Sequence, residues 1–401
     1  MRPGPWYRLT SLAATAGVAL VVTTGEWALA HDVAAHVTLA LLAGVVVMAR
    51  LAHPDRPRLL VSACASFGLF SAAGIAALAG APTGIHLALG ASALAASSVA
   101  TASAFRAYSG RRPAHRSSLR DYLTLTKPRI MALLLLTAAG GMFVGAQGVP
   151  SAGLLAATLG GLALACGGAS ALNHVFDRDL DAHMRRTDRR PVAAGRVTPE
   201  RALEFGVALS ALSFVVLASF VNVLAALLAV AGNLFYVVVY TRYLKRSTPQ
   251  NIVIGGAAGA VPPLVGWAAV TGNLTLPALF LFLIVFYWTP PHFWALALLI
   301  RRDYEAARVP MLPVVKGETE TARSILRYTL LLVAISLLPV VWRTVGWVYL
   351  GTAIVLGAAF IGLALALRRE TTPVRARRLF SFSLAYLALL FVAMALDPLI
   401  L

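Results

Sequence analysis

The chain has 401 residues, 59% of them hydrophobic and only 12% charged, where a soluble domain carries about 25% charged residues. Apolar runs of roughly eighteen residues or more recur along most of its length and read as transmembrane helices; they are continuous, not alternating, which excludes a β-barrel. The net charge of +18 gathers in every second loop, the distribution expected of cytoplasmic loops, so it requires no nucleic acid as partner.

These features predict an all-α polytopic membrane protein. The first four expected spans run roughly over 9–30, 34–52, 58–80 and 84–107, and Lys and Arg fall before the first, after the second and after the fourth. Met1–Ala30 has a basic start, an apolar stretch and Ala28-Leu29-Ala30, as a signal peptide would, but the stretch is long and reads better as an uncleaved anchor. His36 and His86 lie near the outer ends of the second and fourth spans, where a pair could ligate a haem or be ordinary interfacial histidines. Cys64 and Cys166 fall inside apolar runs and read as small core residues.

Residues 108–122 are polar and basic, with Gly110 and Pro113, and mark a linker between a four-span block (1–107) and a larger domain (123–401). Nine further spans are expected at roughly 126–146, 151–176, 201–220, 222–241, 251–271, 275–299, 325–342, 346–367 and 378–397. The alternation of basic loops places the N-terminus inside the cell and the C-terminus outside, in the cell membrane. Two loops on the inner side, 177–200 and 300–322, are long and hold acidic residues, and long loops tend to carry function.

The first long loop follows the densest acidic stretch. Asn173, Asp177 and Asp181 are spaced four apart, which stacks them on one helical face, with Asp179 between. Three oxygen-bearing side chains on one face suit Mg²⁺ held jointly with phosphate oxygens; the same residues also describe a solvated, charge-rich loop. Arg185, Arg186, Arg189 and Arg190 follow, and arginines hold phosphate oxygens directly. Lys245 and Arg246, on another inner loop, could close a diphosphate from the other side, although loop topology alone would also put them there. His292 lies inside the sixth of these spans beside Pro290-Pro291, and an ionisable residue within a span is a functional candidate that must be weighed against a satisfied structural histidine.

Residues 121–400 resemble the UbiA-type intramembrane prenyltransferases. The motifs that carry the resemblance are Leu125-Thr-Lys-Pro-Arg129, Asn173-xxx-Asp177-x-Asp-x-Asp181, Arg189-Arg-Pro191, Tyr240-Thr-xx-Leu-Lys245-Arg-xx-Pro249-x-Asn251, Pro262-Pro-xx-Gly266-Trp267, Pro290-Pro-His-Phe-Trp294, and Asp303-Tyr304 with Pro310-Met-Leu-Pro-Val314. The Pro-His-Phe-Trp and Pro-Met-Leu-Pro-Val segments are similar to the haem branch of that family; His174 stands where quinone-type members carry Asp after the first Asn.

The resemblance implies a nine-helix bundle, preceded here by about four extra transmembrane helices, that transfers a farnesyl group from farnesyl diphosphate to a vinyl group of haem b with addition of water. It implies Mg²⁺ held by Asn173, Asp177, Asp181 and Asp303, with Asp179 supporting them from behind. Lys245 and Arg246 would stabilise the departing diphosphate, and Arg189, Arg190, Tyr240, Asn251 and Tyr304 would line the substrates. His292 is the candidate for contact with haem or with the attacking water, and Arg129 for a haem propionate. The N-terminal block faintly resembles one four-helix half of a haem A synthase; that enzyme or oxidase assembly proteins are the expected protein partners, with membrane lipid around the bundle. A quinone-pathway aromatic prenyltransferase, a non-catalytic haem carrier or assembly factor, and a transporter with broken helices are the other readings.

Overall fold

The computed structural model describes residues 117–400 continuously, and in the N-terminal block residues 10–18, 57–78 and scattered helical positions between 38 and 97. Helix Pro57–Leu78 falls on the third expected span. His36, His86 and most of the other three N-terminal spans lie outside the described residues, as do residues 108–116. Cys64 is exposed on Pro57–Leu78, not in a core, and Cys166 is half-buried; the outer face of a membrane helix meets lipid, which accepts a small apolar side chain as readily as a core does.

Among the described residues, nine helices are long and apolar enough to cross a membrane. A short helix, α1 (Leu119–Thr126), precedes them. Its start is set by a capping box in which Ser118 Oγ accepts from the Asp121 amide and the Asp121 carboxylate accepts from the Ser118 amide. Lys127 ends it in the left-handed region (φ 51°), and Pro128 opens the first long helix, where a missing N–H costs nothing.

The long helices are α2 (Pro128–Ala146), α3 (Ala152–Phe176), α4 (Pro199–Phe220), α5 (Val223–Leu234), α6 (Asn251–Thr271), α7 (Leu276–Leu299), α8 (Gly317–Ser336), α9 (Trp347–Arg369) and α10 (Pro373–Ile400). α5 runs on through a π-helical stretch, Phe235–Leu244, and a last turn at Lys245–Ser247. α8 and α10 begin earlier than their apolar runs predict, because helical hydrogen bonding continues through charged first turns that hydropathy does not register. Both proline pairs sit inside helices that continue past them, in α6 and α7.

α3, α4 and α5 pack together on one side; α7, α8, α9 and α10 form the other; α2 and α6 join the two, with α2 also packing on α10. Helices in lipid gain no hydrophobic drive toward one another, so they associate through close packing at small residues. The α2–α6 contact shows this: a Cβ on Gly141 would lie 2.5 Å from the Pro263 carbonyl oxygen, and one on Gly266 would collide with the carbonyl of Ala138. Large buried aromatics, Tyr349, Phe360, Tyr386 and Phe391, fill the α7–α10 side. Up-and-down connection brings the ends of α3, α5 and α7 to the same mouth as the starts of α2, α4, α6 and α8.

Candidate functional site

The mouth is built on the end of α3. α3 ends at Phe176, yet the Asp177 amide still bonds the Asn173 carbonyl (2.9 Å) and the Asp181 amide the Asp177 carbonyl (2.8 Å). The helical rise therefore carries through the helical turn Arg178–Asp181, and the three residues keep one face. Asn173, Asp177 and Asp181 are 3%, 0% and 1% exposed. This overturns the solvated-loop reading for them; only Asp179 fits it, with its side chain 57% exposed.

Carboxylates at the C-terminal end of a helix face the negative pole of its dipole. Burial makes their charge costlier still, so each needs a cation. Asp177 Oδ2 is 2.5 Å from Lys245 Nζ. Both oxygens of Asp181 accept from Arg190 Nη1 at 2.8 Å. Asp179 takes both ends of the Arg246 guanidinium at 2.6 Å, and the Arg246 hydrogen bonds hold its carboxyl down at about 2. Arg246 also donates to the Phe176 carbonyl, one of those the helix end leaves unpaired (2.7 Å).

Asn173 links this cluster to a cation that sequence reasoning left unassigned. Its Nδ2 donates to Asp177 Oδ2 (2.7 Å) and to Thr241 Oγ1 (3.1 Å), while its Oδ1 accepts from Lys127 Nζ at 2.8 Å. Burial, joined by repulsion from Arg190 and Lys245, pushes Lys127 down to about 7 against the attraction of Asp181 and Asp177. Lys127 lies inside the motif Leu125-Thr-Lys-Pro-Arg129, but a basic residue on an inner loop is expected from topology alone, so it was given no role; the Lys-Pro step that breaks α1 from α2 was the feature that could have found it. Thr241 is positioned by the π-helical stretch, whose extra residue per turn re-aims that face of α5.

The loop 177–200 is folded. Met184 enters the main core, and Val192 and Val197 pack with Leu125 of α1. Arg196 bridges to Asp121 at 2.8 Å and donates to the Arg189 carbonyl at 2.9 Å. The second long loop meets it where Asp303 Oδ2 accepts from the Arg186 amide at 3.3 Å. Tyr304, next in sequence, is buried, and burial raises its hydroxyl above the usual tyrosine range.

The other expected residues fall as follows. Tyr240 lies on the π-helical stretch and stacks on Tyr236 with centroids 5.6 Å apart. Asn251 opens α6 and is fully buried, with neither amide atom hydrogen-bonded. Arg129 is exposed on the first turn of α2, and Arg189 is exposed with its carbonyl on Arg196. His174 is buried with both ring nitrogens enclosed and unbonded. His292 sits deeper, on α7 against α10, away from the carboxylates.

No group of three or more His, Cys, Asp or Glu side chains lies close enough to hold a metal among the described residues. The donor chemistry nevertheless fits a hard cation. Asp177 and Asp181 are carboxylates on the face of Asn173, and Asp177 Oδ1 is buried with no hydrogen bond. Arg246 Nη2 lies 3.9 Å from that oxygen, beyond hydrogen-bond reach, so a cation bound closer would complete it.

Among the described residues, a bundle of membrane-length helices carries buried carboxylates paired with Lys and Arg at one mouth, a charge arrangement suited to the anionic headgroup of an apolar molecule. The UbiA prenyltransferase family model matches residues 133–392, and the chain belongs to that family. It is 58% identical over 281 residues to "Protoheme IX farnesyltransferase" of Symbiobacterium thermophilum, covering 70% of this chain and 94% of that one. A protein of the same name from Gloeobacter violaceus is 53% identical over 290 residues, covering 72% and 95%. A third, from Roseiflexus sp., is 54% identical over 282 residues, and there the match spans 70% of this chain and only 53% of the relative. Among solved structures, the fold matches one reported for digeranylgeranylglyceryl phosphate synthase (TM-score 0.59, 20% identity, 71% of this chain and 99% of that). It also matches a UbiA homolog from Archaeoglobus fulgidus bound to GPP and Mg²⁺ (TM-score 0.53, 17% identity, 68% and 99%).

Proposed function

We infer that this protein transfers a farnesyl group from farnesyl diphosphate to a vinyl group of haem b, with addition of water, releasing diphosphate and the hydroxyethylfarnesyl haem known as haem O. The observation that carries donor and acceptor together is the 58% identity across 94% of a relative named for that reaction. The mouth supplies chemistry suited to it.

Asn173, Asp177 and Asp181 would hold Mg²⁺, joined by Asp303 of the second long loop once substrate draws the carboxylates closer; a UbiA homolog from Archaeoglobus fulgidus is bound to GPP and Mg²⁺. Mg²⁺ bound there would neutralise charge on the diphosphate oxygens. Lys245, Arg246 and Arg190 now sit on carboxylates, and each has N–H donors to turn to phosphate. When diphosphate enters, they follow the negative charge onto it and stabilise the leaving group as the allylic C–O bond breaks. Thr241 holds the Asn173 amide nitrogen, and Lys127, now on Asn173 Oδ1, would turn to phosphate when Mg²⁺ takes that oxygen. Tyr240, Tyr304 and Asn251 line the path of the isoprenoid chain, and Arg189 offers a further donor at the rim.

The haem vinyl carbon then bonds to the allylic carbon. The cation left on the porphyrin side is captured by water, which loses a proton. Arg129, exposed at the mouth, reaches a haem propionate, and His292 contacts haem from deeper in the bundle. The reaction faces the cytoplasm in the plasma membrane, with the C-terminus outside, because the basic loops share the mouth side. A haem A synthase or an oxidase assembly protein receives the product.

Membranes carrying the protein, given haem b, farnesyl diphosphate and Mg²⁺, are expected to form a haem heavier by one farnesyl group plus one hydroxyl group. Transfer to an aromatic quinone precursor, with haem b untouched, would overturn the acceptor assignment.

A further inference from the structure

Ser383, on α10, has one hydroxyl hydrogen and two short contacts. Its Oγ lies 2.7 Å from the Phe380 carbonyl oxygen and 2.7 Å from His292 Nδ1. A carbonyl can only accept, so the hydroxyl hydrogen goes to Phe380. The bond to His292 must then run the other way, with Nδ1–H donating to Ser383 Oγ. In a neutral ring this leaves Nε2 without a proton and with its lone pair free.

The ring has no freedom to exchange these roles. Trp288 stacks on one face (4.3 Å, 17°) and Phe380 on the other (4.7 Å, 22°). Trp288 Nε1 donates to the Ser383 carbonyl at 2.7 Å, which fixes Ser383 in turn. Nε2 makes no hydrogen bond to the protein, yet it is not among the fully enclosed polar atoms, and His292 keeps 7% of its surface. His174 differs, since both its nitrogens are sealed.

A histidine whose one nitrogen donates to an orienting acceptor while the other keeps a bare, incompletely enclosed lone pair has the arrangement of a metal-binding imidazole. His292 lies seven residues before Leu299, the end of α7, so it sits about 10 Å below the mouth at the helical rise. A flat apolar macrocycle held there keeps its carboxylates near the mouth cations.

We propose that His292 Nε2 is an axial ligand to the iron of the haem substrate, and that Ser383 is the positioning residue that holds His292 in the required tautomer. This rests on haem b being the acceptor. Iron ligation fixes the depth and plane of the ring and so directs a vinyl edge toward the allylic carbon. No proton or electron is transferred in the ligation itself.

The full-length protein in lipid nanodiscs, titrated with ferric haem b, tests it by absorption and electron paramagnetic resonance. The wild type is expected to give a histidine-ligated spectrum. His292→Ala is expected to lose it and to regain it with added imidazole. Ser383→Ala is expected to weaken haem binding by about tenfold or more, the usual effect of removing a partner behind a ligand, and Ser383→Thr to restore it. Iron-free protoporphyrin IX should bind wild type and Ser383→Ala alike, and farnesyl diphosphate binding should not change in any variant. A wild-type spectrum in His292→Ala overturns the ligand; equal haem binding by Ser383→Ala and wild type overturns the positioning role. Failure of wild-type membranes to farnesylate haem b overturns the acceptor instead, a result read separately by product mass.

Discussion

Lys245 Nζ rests 2.5 Å from Asp177 Oδ2, so the cation assigned to the leaving group is held, before substrate arrives, by a carboxylate assigned to the metal. Asp177 is fully buried and the Lys245 side chain 13% exposed, so neither charge is well solvated. Removing Lys245 leaves the buried Asp177 carboxylate with only the Asn173 amide at 2.7 Å and Arg246 at 3.9 Å, a loss of up to about 3–5 kcal/mol. Lys245→Ala is therefore expected to lower thermal stability in detergent. Millimolar Mg²⁺ should recover more of that loss than it adds to the wild type, because a metal can replace the missing charge. Equal Mg²⁺ responses would contradict the shared position.

Asp179 and Asp181 differ by burial. The Asp179 side chain is 57% exposed on Arg246, while Asp181 is 1% exposed on Arg190. Exposed ion pairs contribute about 0–1 kcal/mol. Asp179→Ala is expected to keep stability and most of the turnover. Asp181→Asn should cost at least a hundredfold in kcat/KM, read by product mass in membranes.

The Asp121–Arg196 bridge pins the loop 177–200 to α1 at 2.8 Å. The Arg196 hydrogen bond, foremost, lowers Asp121 from 3.8 to about 2. A lowered carboxyl stabilises the fold fully above its unfolded value and loses that contribution as pH falls through the folded one. Wild type should thus be more stable than Asp121→Asn at neutral pH, with the gap closing between pH 3.8 and about 2. A gap independent of pH would show that the bridge contributes nothing.

Gly266 meets the backbone of Ala138, which cannot swing aside as a side chain can. Gly266→Ala is expected to separate α2 from α6 and lower stability by about 1–3 kcal/mol. Gly153, whose Cβ would meet nothing, should accept Ala without loss when tested in the same denaturation assay.

The nine long helices were legible because a membrane span must be apolar along its length, and the Asn173-Asp177-Asp181 face because four-residue spacing survives the end of α3. What sequence reading could not see depended on contacts between distant segments. Met184, Val192 and Val197 are scattered apolar residues in a charged loop, and only their landing sites reveal that the loop is folded. Lys127 turns inward while Arg129, two residues on, stays exposed, a choice made by the left-handed break at Lys127 and not by residue type. The π-helical register of Phe235–Leu244, which brings Thr241 to Asn173, has no hydropathy signature. Ser383 lies 91 positions from His292, and nothing in the spacing pairs them.

Binding of labelled farnesyl diphosphate to the protein in nanodiscs, with and without Mg²⁺, in wild type and Asp177→Asn, tests most directly whether the buried carboxylate face holds a metal–diphosphate complex. Wild type is expected to bind the diphosphate tightly only with Mg²⁺, and Asp177→Asn to lose that Mg²⁺ dependence together with turnover. Tight binding without Mg²⁺ that Asp177→Asn leaves unchanged would contradict it.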